Sequence, residues 1–324
     1  MDVKLVNPFN GATLKPAKKG LSDGRGTIFP VIGGVPRIAP AANYAESFGK
    51  QWNKFRLTQI DRPEIGERIS EQRLFAETGW KPEALKGLNI LEAGSGAGRF
   101  SRVLLEHTEA NLWSVDYSTA VDANMATNGK IAPERFHLFQ ASIYDMPFPD
   151  NSFDKVLCLG VLQHTPEFDQ SVRALVAKAK PGAEIVVDFY HVRGFWTKIQ
   201  AKYLLRPFTR RMRHDRLLSL IERNVDWMLA LSKGLRRVGL GPLTRFIPLV
   251  DVGRTFPEGL PKTLVREIAV LDTFDMLSPE YDNPQRIAAV TRMFERSGAK
   301  VTFAGLVETV TGPAAVVRAL KRTT

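Results

Sequence analysis

The 324-residue chain predicts an α/β fold organised on a parallel sheet. Three observations predict it. Asn89 to Phe100 reads as a short apolar strand, a Gly-x-Gly-x-Gly turn and the start of a helix. Asn111 to Asp116 reads as a second strand, and its terminal acid falls 24 residues after Glu92. That is the spacing of one strand–helix–strand unit, which brings the second strand's end beside the first turn. At the other end of the chain, Ala299–Leu306 and Ala314–Leu320 read as two strands joined by residues 309–313, an antiparallel hairpin.

The turn carries the first chemistry. Glycine lets the backbone bend sharply and lets a ligand approach where a Cβ would collide. The helix that follows leaves amide N–H groups at its N-terminus, where a negative group is favoured. Glu92, on the entering strand, suits a cationic or hydroxyl-bearing ligand instead of a second phosphate. Asp116 is placed to accept two ribose hydroxyls. A dinucleotide dehydrogenase would share Asp116, but its turn is Gly-x-Gly-x-x-Gly and lacks the acid inside the first strand.

Three further stretches complete a pattern. They are Gln140–Asp154 (QASIYDMPFPDNSFD), Val156–Pro166 (VLCLGVLQHTP) and Lys180-Pro181-Gly182 before a strand from Ala183 to Tyr190. With the two acid-ended strands, residues 88–190 resemble a class I S-adenosylmethionine-dependent methyltransferase. The resemblance implies a Rossmann-like, seven-stranded sheet finished by the C-terminal antiparallel hairpin, and S-adenosylmethionine as cofactor. It places Glu92, Gly94, Ser95, Gly96, Gly98, Asp116, Tyr117, Ser142, Ile143, Leu159 and Gly160 at the cofactor. Ser142 departs from the family, which often has an aspartate there for the adenine amino group.

Composition agrees with an enzyme of this size. There is no apolar run near 18 residues, so no transmembrane helix is expected. The N-terminus lacks an apolar signal core, and a cytoplasmic location is the expectation. The single cysteine, Cys158, excludes an internal disulfide and a cysteine-cluster metal site; it reads as a small buried hydrophobe.

Ahead of the core, residues 1–40 resemble a small zinc-ribbon-like β domain found fused to, or activating, some methyltransferases. Asn7 and Asn10 stand at its cysteine positions. Neutral amides do not replace thiolates on zinc, so no metal is expected. Residues 41–86 read as helices over the cofactor. Tyr44, Phe48 and Trp52 repeat at i, i+4, i+8 on one face, for the cofactor or for plain packing. Arg73, in a second helix ending near Gly79, reads as a partner for the methionine carboxylate or as an exposed arginine.

The cofactor-binding core spans 87–191 and is followed by a basic helical segment, 192–283. From Arg193 to Arg237 twelve Lys or Arg face Asp215, Glu222 and Asp226, so this stretch carries +9 of the chain's +11. Its apolar residues recur at helical spacing, and Arg206-Pro207 reads as a break between helices. Phe195, Trp196, Tyr203, Leu204 and Leu205 sit among the charges. Two readings stand: a solvated face, or a basic cap. A cap would place Arg210, Arg211 and Arg213 on an acidic acceptor, or would touch an anionic membrane surface or nucleic acid. Leu271–Asp282 reads as an acidic, aromatic loop that lines the substrate pocket, with Tyr281 at the substrate, or whose acids pair with the cap. Residues 284–324 supply a helix stopped by Gly298 and then the hairpin.

Methyl transfer needs alignment and a base wherever the nucleophile carries a proton. His164 and His191, just past the fourth and fifth strands, are the candidates. The acceptor expected is a small molecule, or a lipid- or sugar-linked one, methylated on O or N. The alternative is a methyltransferase-like protein that binds nucleic acid or acts as an adaptor. Leu159-Gly160-Val161-Leu162 stands where a base-methylating enzyme has an Asn/Asp-Pro-Pro-aromatic tetrad. Oligomeric state is not legible.

Overall fold

The computed structural model describes residues 3–40, 42–63, 67–192, 194, 199–250 and 260–323. Arg193, Phe195, Trp196 and Lys198, counted above in the basic stretch, lie outside the described residues.

Four short strands, β1 (Lys15–Ala17), β2 (Gly20–Ser22), β3 (Ile28–Ile32) and β4 (Val35–Pro36), form an antiparallel sheet in chain order. The last hairpin turns on Gly33 and Gly34, both at positive φ, as a two-residue connection requires. Leu21, Phe29 and Ile38 join the same apolar cluster as Phe139 and Phe148 of the main body. Backbone N–H groups of Ile38 and Ala39 donate to the Gln140 carbonyl, so this sheet is docked on the edge of the larger one. At its tip the amides of Asn7 and Asn10 both donate to Asp23 Oδ2, at 2.8 and 2.9 Å. Asn10, with the Arg25 backbone N–H and the Asn7 amide, holds the Asp23 carboxyl well below the usual range.

Helices α1 (Glu46–Lys54) and α2 (Ile69–Thr78) follow; α2 ends on Gly79 at φ +69°. Tyr44 lies two residues before α1, so the three aromatics are not one helical stripe as their spacing suggested.

The main sheet holds β5 (Asn89–Ala93), β6 (Asn111–Asp116), β7 (Phe136–Gln140), β8 (Phe153–Cys158), β9 (Ala179–Phe189), β10 (Ala299–Thr309) and β11 (Gly312–Lys321). Its order is β10-β11-β9-β8-β5-β6-β7, parallel except at β11, which runs antiparallel to both neighbours. β5 lies between β6 and β8, so the chain departs from it in both directions. The crevice at its C-terminal end is the switch point where such sheets bind ligands. Helices α3 (Arg99–His107), α4 (Ala120–Asn128) and α5 (Phe168–Lys178) link these strands. β9 begins at Ala179, earlier than expected. Phe153 pairs with Ala179 and Lys155 with Glu184, so Lys180-Pro181-Gly182 forms an irregularity within the strand instead of a turn before it.

The insert after β9 contributes α6 (Ala201–Thr209), α7 (His214–Arg237) and α8 (Lys262–Leu277), and α9 (Ile287–Arg296) leads into β10. Leu217, Ile221, Val225 and Met228 of α7 bury against Leu264, Ile268, Leu271 and Phe274 of α8, a core separate from that of the sheet. Two expectations are corrected here. Pro207 sits inside the last turn of α6, where it removes a single hydrogen bond. That turn is held because Arg206 donates to the Met276 and Pro279 carbonyls and Thr209 to that of Leu277, so the break falls after Thr209. Leu271–Leu277 is the end of α8 and not a loop: Leu264, Ile268, Leu271 and Phe274 continue one apolar face from well upstream.

Candidate functional site

The Gly94–Gly98 turn closes on the neighbouring strand. Gly94 and Ser95 N–H groups donate to the Val115 carbonyl at 2.7 and 3.1 Å, and Gly94, Gly96 and Gly98 all have positive φ. Gly98 is required by packing: a Cβ there would stand 2.2 Å from Asn124 Oδ1 and 2.3 Å from Asn128 Nδ2. The Gly96 N–H donates to Asp116 Oδ2 at 2.8 Å, while Asp116 Oδ1 accepts from the Ser118 N–H and hydroxyl. Three of its roughly four acceptor positions are thus filled, and one remains on Oδ2 for a ligand hydroxyl. Burial raises the Asp116 pKa.

Beside this turn opens a cavity of about 500 Å³, within the size range of small-ligand sites. Gly94, Ser95, Gly96, Val115, Asp116, Tyr117, Ile143, Leu159 and Gly160 line its wall.

 The cofactor-end wall is therefore formed by the turn, by the ends of β6 and β8, and by Ile143 after β7. Gly160, at φ +75°, has nothing within 4 Å of where a Cβ would project. From above, Phe48 and Trp52 of α1 close the cavity; a Cβ on Gly96 would lie 3.4 Å from Trp52 Nε1. Tyr44 also lines it, its ring 4.9 Å from Tyr117 and edge-on to Tyr281 at 5.3 Å.

Several residues singled out in the sequence lie off this wall. Glu92 is buried beneath the turn, because the Ser101 and Ser114 hydroxyls both donate to its Oε2, at 2.6 and 2.7 Å; burial pushes its pKa up to about 7. The Ser142 hydroxyl accepts from the Tyr144 N–H and so serves the local turn. His191 borders an adjoining, smaller cavity of about 230 Å³ with Gln163 and Thr309, which shares Arg73, Gly160 and Tyr190 with the first. Arg210, Arg211 and Arg213 are exposed around the α6–α7 connection and do not reach the cavity. Tyr281 does not line the cavity; its ring packs edge-on against Tyr44 and its carbonyl faces His164, as described below. Arg73 does line the cavity, but it is already paired: Nε donates to Glu77 at 2.6 Å and Nη2 to Asp188. Burial opposes its charge, and these two acids more than offset that and raise its pKa.

The far half of the cavity is built by residues that the sequence did not single out one by one, among them acids of the 271–282 segment, which it left open between pocket lining and cap partner. Arg99, next to Gly98, donates to the neutral Ser70 hydroxyl and the Gln59 side-chain amide oxygen, Oε1; burial, with Arg73 nearby, pulls its pKa down to about 10. Its signal was a cation in the first turn of a helix, where the dipole disfavours it. Asp272, Asp275 and Met276 enter from α8 and Lys202 from α6. Tyr190 Oη donates to Asp275 Oδ2 at 3.2 Å, and Gln51 Nε2 donates to Oδ1 at 3.1 Å. Lys202 pairs with Asp282 at 2.9 Å, with its ammonium 4.6 Å from the Tyr190 ring centre. Burial pushes Asp272 up to about 7.

His164 faces this group. Its Nδ1 lies 3.1 Å from the Tyr281 carbonyl oxygen, which can only accept, so the proton belongs on Nδ1 and Nε2 keeps its lone pair. Burial lowers its pKa, which keeps the ring neutral at pH 7. Its ring is 5.4 Å from that of Tyr190. One cavity therefore joins a hydroxyl-accepting carboxylate and an apolar floor to a neutral imidazole and a carboxylate–phenol pair.

Residues 91–187 match the family described as a methyltransferase domain. Among curated proteins, the chain is 25% identical over 160 residues to a tRNA U34 carboxymethyltransferase of Nautilia profundicola, covering 44% of this chain and 53% of that protein. It is 29% identical over 119 residues to a demethylmenaquinone methyltransferase of Listeria monocytogenes, covering 33% and 48%. The chain thus spans about half the length of these relatives. Among solved structures, a complex of the Haloferax volcanii Trm112 methyltransferase activator with a methyltransferase aligns at TM-score 0.50 and 12% identity, over 86% of this chain and 99% of that one. That likeness concerns the fold. Residues 91–187 are a class I S-adenosylmethionine-dependent methyltransferase domain, on the sheet such domains share.

Proposed function

We propose that this chain, with its methyltransferase domain at residues 91–187, transfers a methyl group to an oxygen or nitrogen of a small or lipid- or sugar-linked acceptor. The observation that carries this reading is the single cavity running from Asp116 to His164 and Asp275.

The residues present fit S-adenosylmethionine. Asp116 keeps an acceptor position for a ribose hydroxyl, Ile143 and Leu159 offer an apolar floor, and Gly160 leaves room where a side chain would intrude. Arg99, whose hydrogen bonds go to the neutral Ser70 and Gln59 side chains, is the cation suited to a carboxylate; Arg73 is committed to Glu77 and Asp188. When bound, the cofactor supplies an electrophilic methyl group.

His164 accepts the acceptor's proton on Nε2 while the Tyr281 carbonyl holds the ring's other N–H. Tyr190 and Gln51 orient the Asp275 carboxylate, which accepts a hydrogen bond from the acceptor's hydroxyl or amine. The α1 aromatics Phe48 and Trp52 exclude water. An acidic acceptor, expected from the arginine-rich stretch, draws less support from this geometry: those arginines are outside the cavity, and Lys202 is neutralised by Asp282.

The test is calorimetric titration with S-adenosylmethionine, followed by a screen of acceptor pools for S-adenosylhomocysteine release. Asp116→Ala is expected to weaken cofactor binding by about 1.5–3 kcal/mol, as for a lost hydrogen bond to a charged group. Unchanged affinity in a folded variant refutes the cofactor assignment.

A further inference from the structure

The insert that roofs the cavity has a second face. On α7, Leu217, Ile221, Val225 and Met228 point inward. Leu220, Trp227, Leu231 and Val238 fall at i, i+7, i+11 and i+18, a separate stripe along the helix. They are 50, 52, 44 and 69% exposed. Arg216 and Arg223, both exposed, flank this stripe. Leu240, Leu243 and Phe246 extend the exposed apolar surface into the turn that packs against α7, and Leu204, Leu205 and Phe208 of α6 are exposed as well. Scattered apolar residues need no explanation, whereas a continuous stripe of this kind marks a contact surface.

The charges identify the partner. All three acids of α7 are engaged from the body side: Asp215 by Lys50, Glu222 by Lys54 and Asp226 by Arg266. The outer stripe is left with cations and apolar groups. A second copy of the chain would set Arg216 and Arg223 against like charges. An anionic bilayer matches both features, because apolar side chains enter the interface while cations meet the headgroups. We propose that the outer face of α7, with the exposed residues of α6 and the turn after α7, docks on an anionic phospholipid surface. Docking would set the acceptor end of the cavity near the bilayer, since α6 also carries Lys202 into that cavity. The inference does not depend on the methyl-transfer reading.

The experiment is co-sedimentation of the full chain with phosphatidylcholine vesicles, with and without about 30 mol% phosphatidylglycerol, at rising salt. Binding is expected to be at least about tenfold stronger on the anionic vesicles and to weaken as the screening length falls toward about 3 Å. Arg216→Gln with Arg223→Gln should lower anionic-vesicle binding about tenfold or more. Trp227→Ser with Leu231→Ser should abolish it. Both pairs are exposed, so melting temperature and S-adenosylmethionine affinity should stay at wild-type values. Equal binding to both vesicle types, or binding unaltered in both double variants, overturns the proposal. So does a fall in molar mass by light scattering in the Trp227/Leu231 variant, which would mark the stripe as a self-interface. RNA binding lost in the arginine variant, without vesicle binding in the wild type, would assign the face to nucleic acid instead.

Discussion

At the glycine-turn end of the cavity, Gly96 and Asp116 are 20 residues apart and belong to one strand–helix–strand unit. At the other end, Gln51 and Asp275 are 224 residues apart, and they meet Tyr190, Lys202 and His164 from three further elements. The near end is thus a local motif held by backbone geometry. The far end exists only once α1, α6 and α8 have docked over the sheet. The difference teaches where each kind of perturbation should act: on folding and cofactor binding at the near end, and on turnover at the far end.

The sharpest break of this comparison should come from His164→Gln, which retains ring-sized bulk and hydrogen bonding but no base. We expect kcat to fall by about 10²–10⁴, with S-adenosylmethionine affinity within about twofold of wild type. Asp275→Asn should shift kcat in the same direction. A kcat near wild type in single-turnover measurements would remove both residues from the proton path.

Gly98→Ala attacks the near end. The positive φ and the collision with Asn124 and Asn128 should destabilise the fold by about 3 kcal/mol. Chemical denaturation measures this, and an effect below about 0.5 kcal/mol would show that α4 yields easily.

A pH experiment probes the far end. Asp272 titrates at about 7 in the folded chain, against about 3.9 when unfolded. Between those values the native state holds the proton that the unfolded state has lost, so this group makes stability fall as pH rises from about 4 to about 7. Asp272→Asn should flatten the decline and raise stability at pH 8 by about 1–3 kcal/mol. An unchanged pH profile would mean that Asp272 stays ionised throughout.

The smallest effect is expected from Arg210→Gln, Arg211→Gln and Arg213→Gln together. Since these residues do not reach the cavity, the KM for a soluble acceptor should change less than about twofold. A clear rise in KM with a flattened salt response would restore them to the substrate path.

The sequence by itself determined the sheet, the glycine turn, Asp116 beside it, the C-terminal hairpin and the excess charge of the insert. Each depends on residues close in the chain, where strand period, glycine conformation and turn spacing act directly. It did not reveal Arg99 or Gln51, and it left the acids of 271–282 open between a pocket wall and the cap, because nothing local distinguishes an acid on α8 that faces a cavity from one that faces solvent. Nor did it show that the side chains of Glu92 and Ser142 turn to nearby hydroxyl and backbone partners, or that Arg73, which lines the cavity, is shared between Glu77 and Asp188. Tertiary structure decided these roles: a buried polar group takes whichever partner packing brings within reach, and that is settled only when separate elements meet.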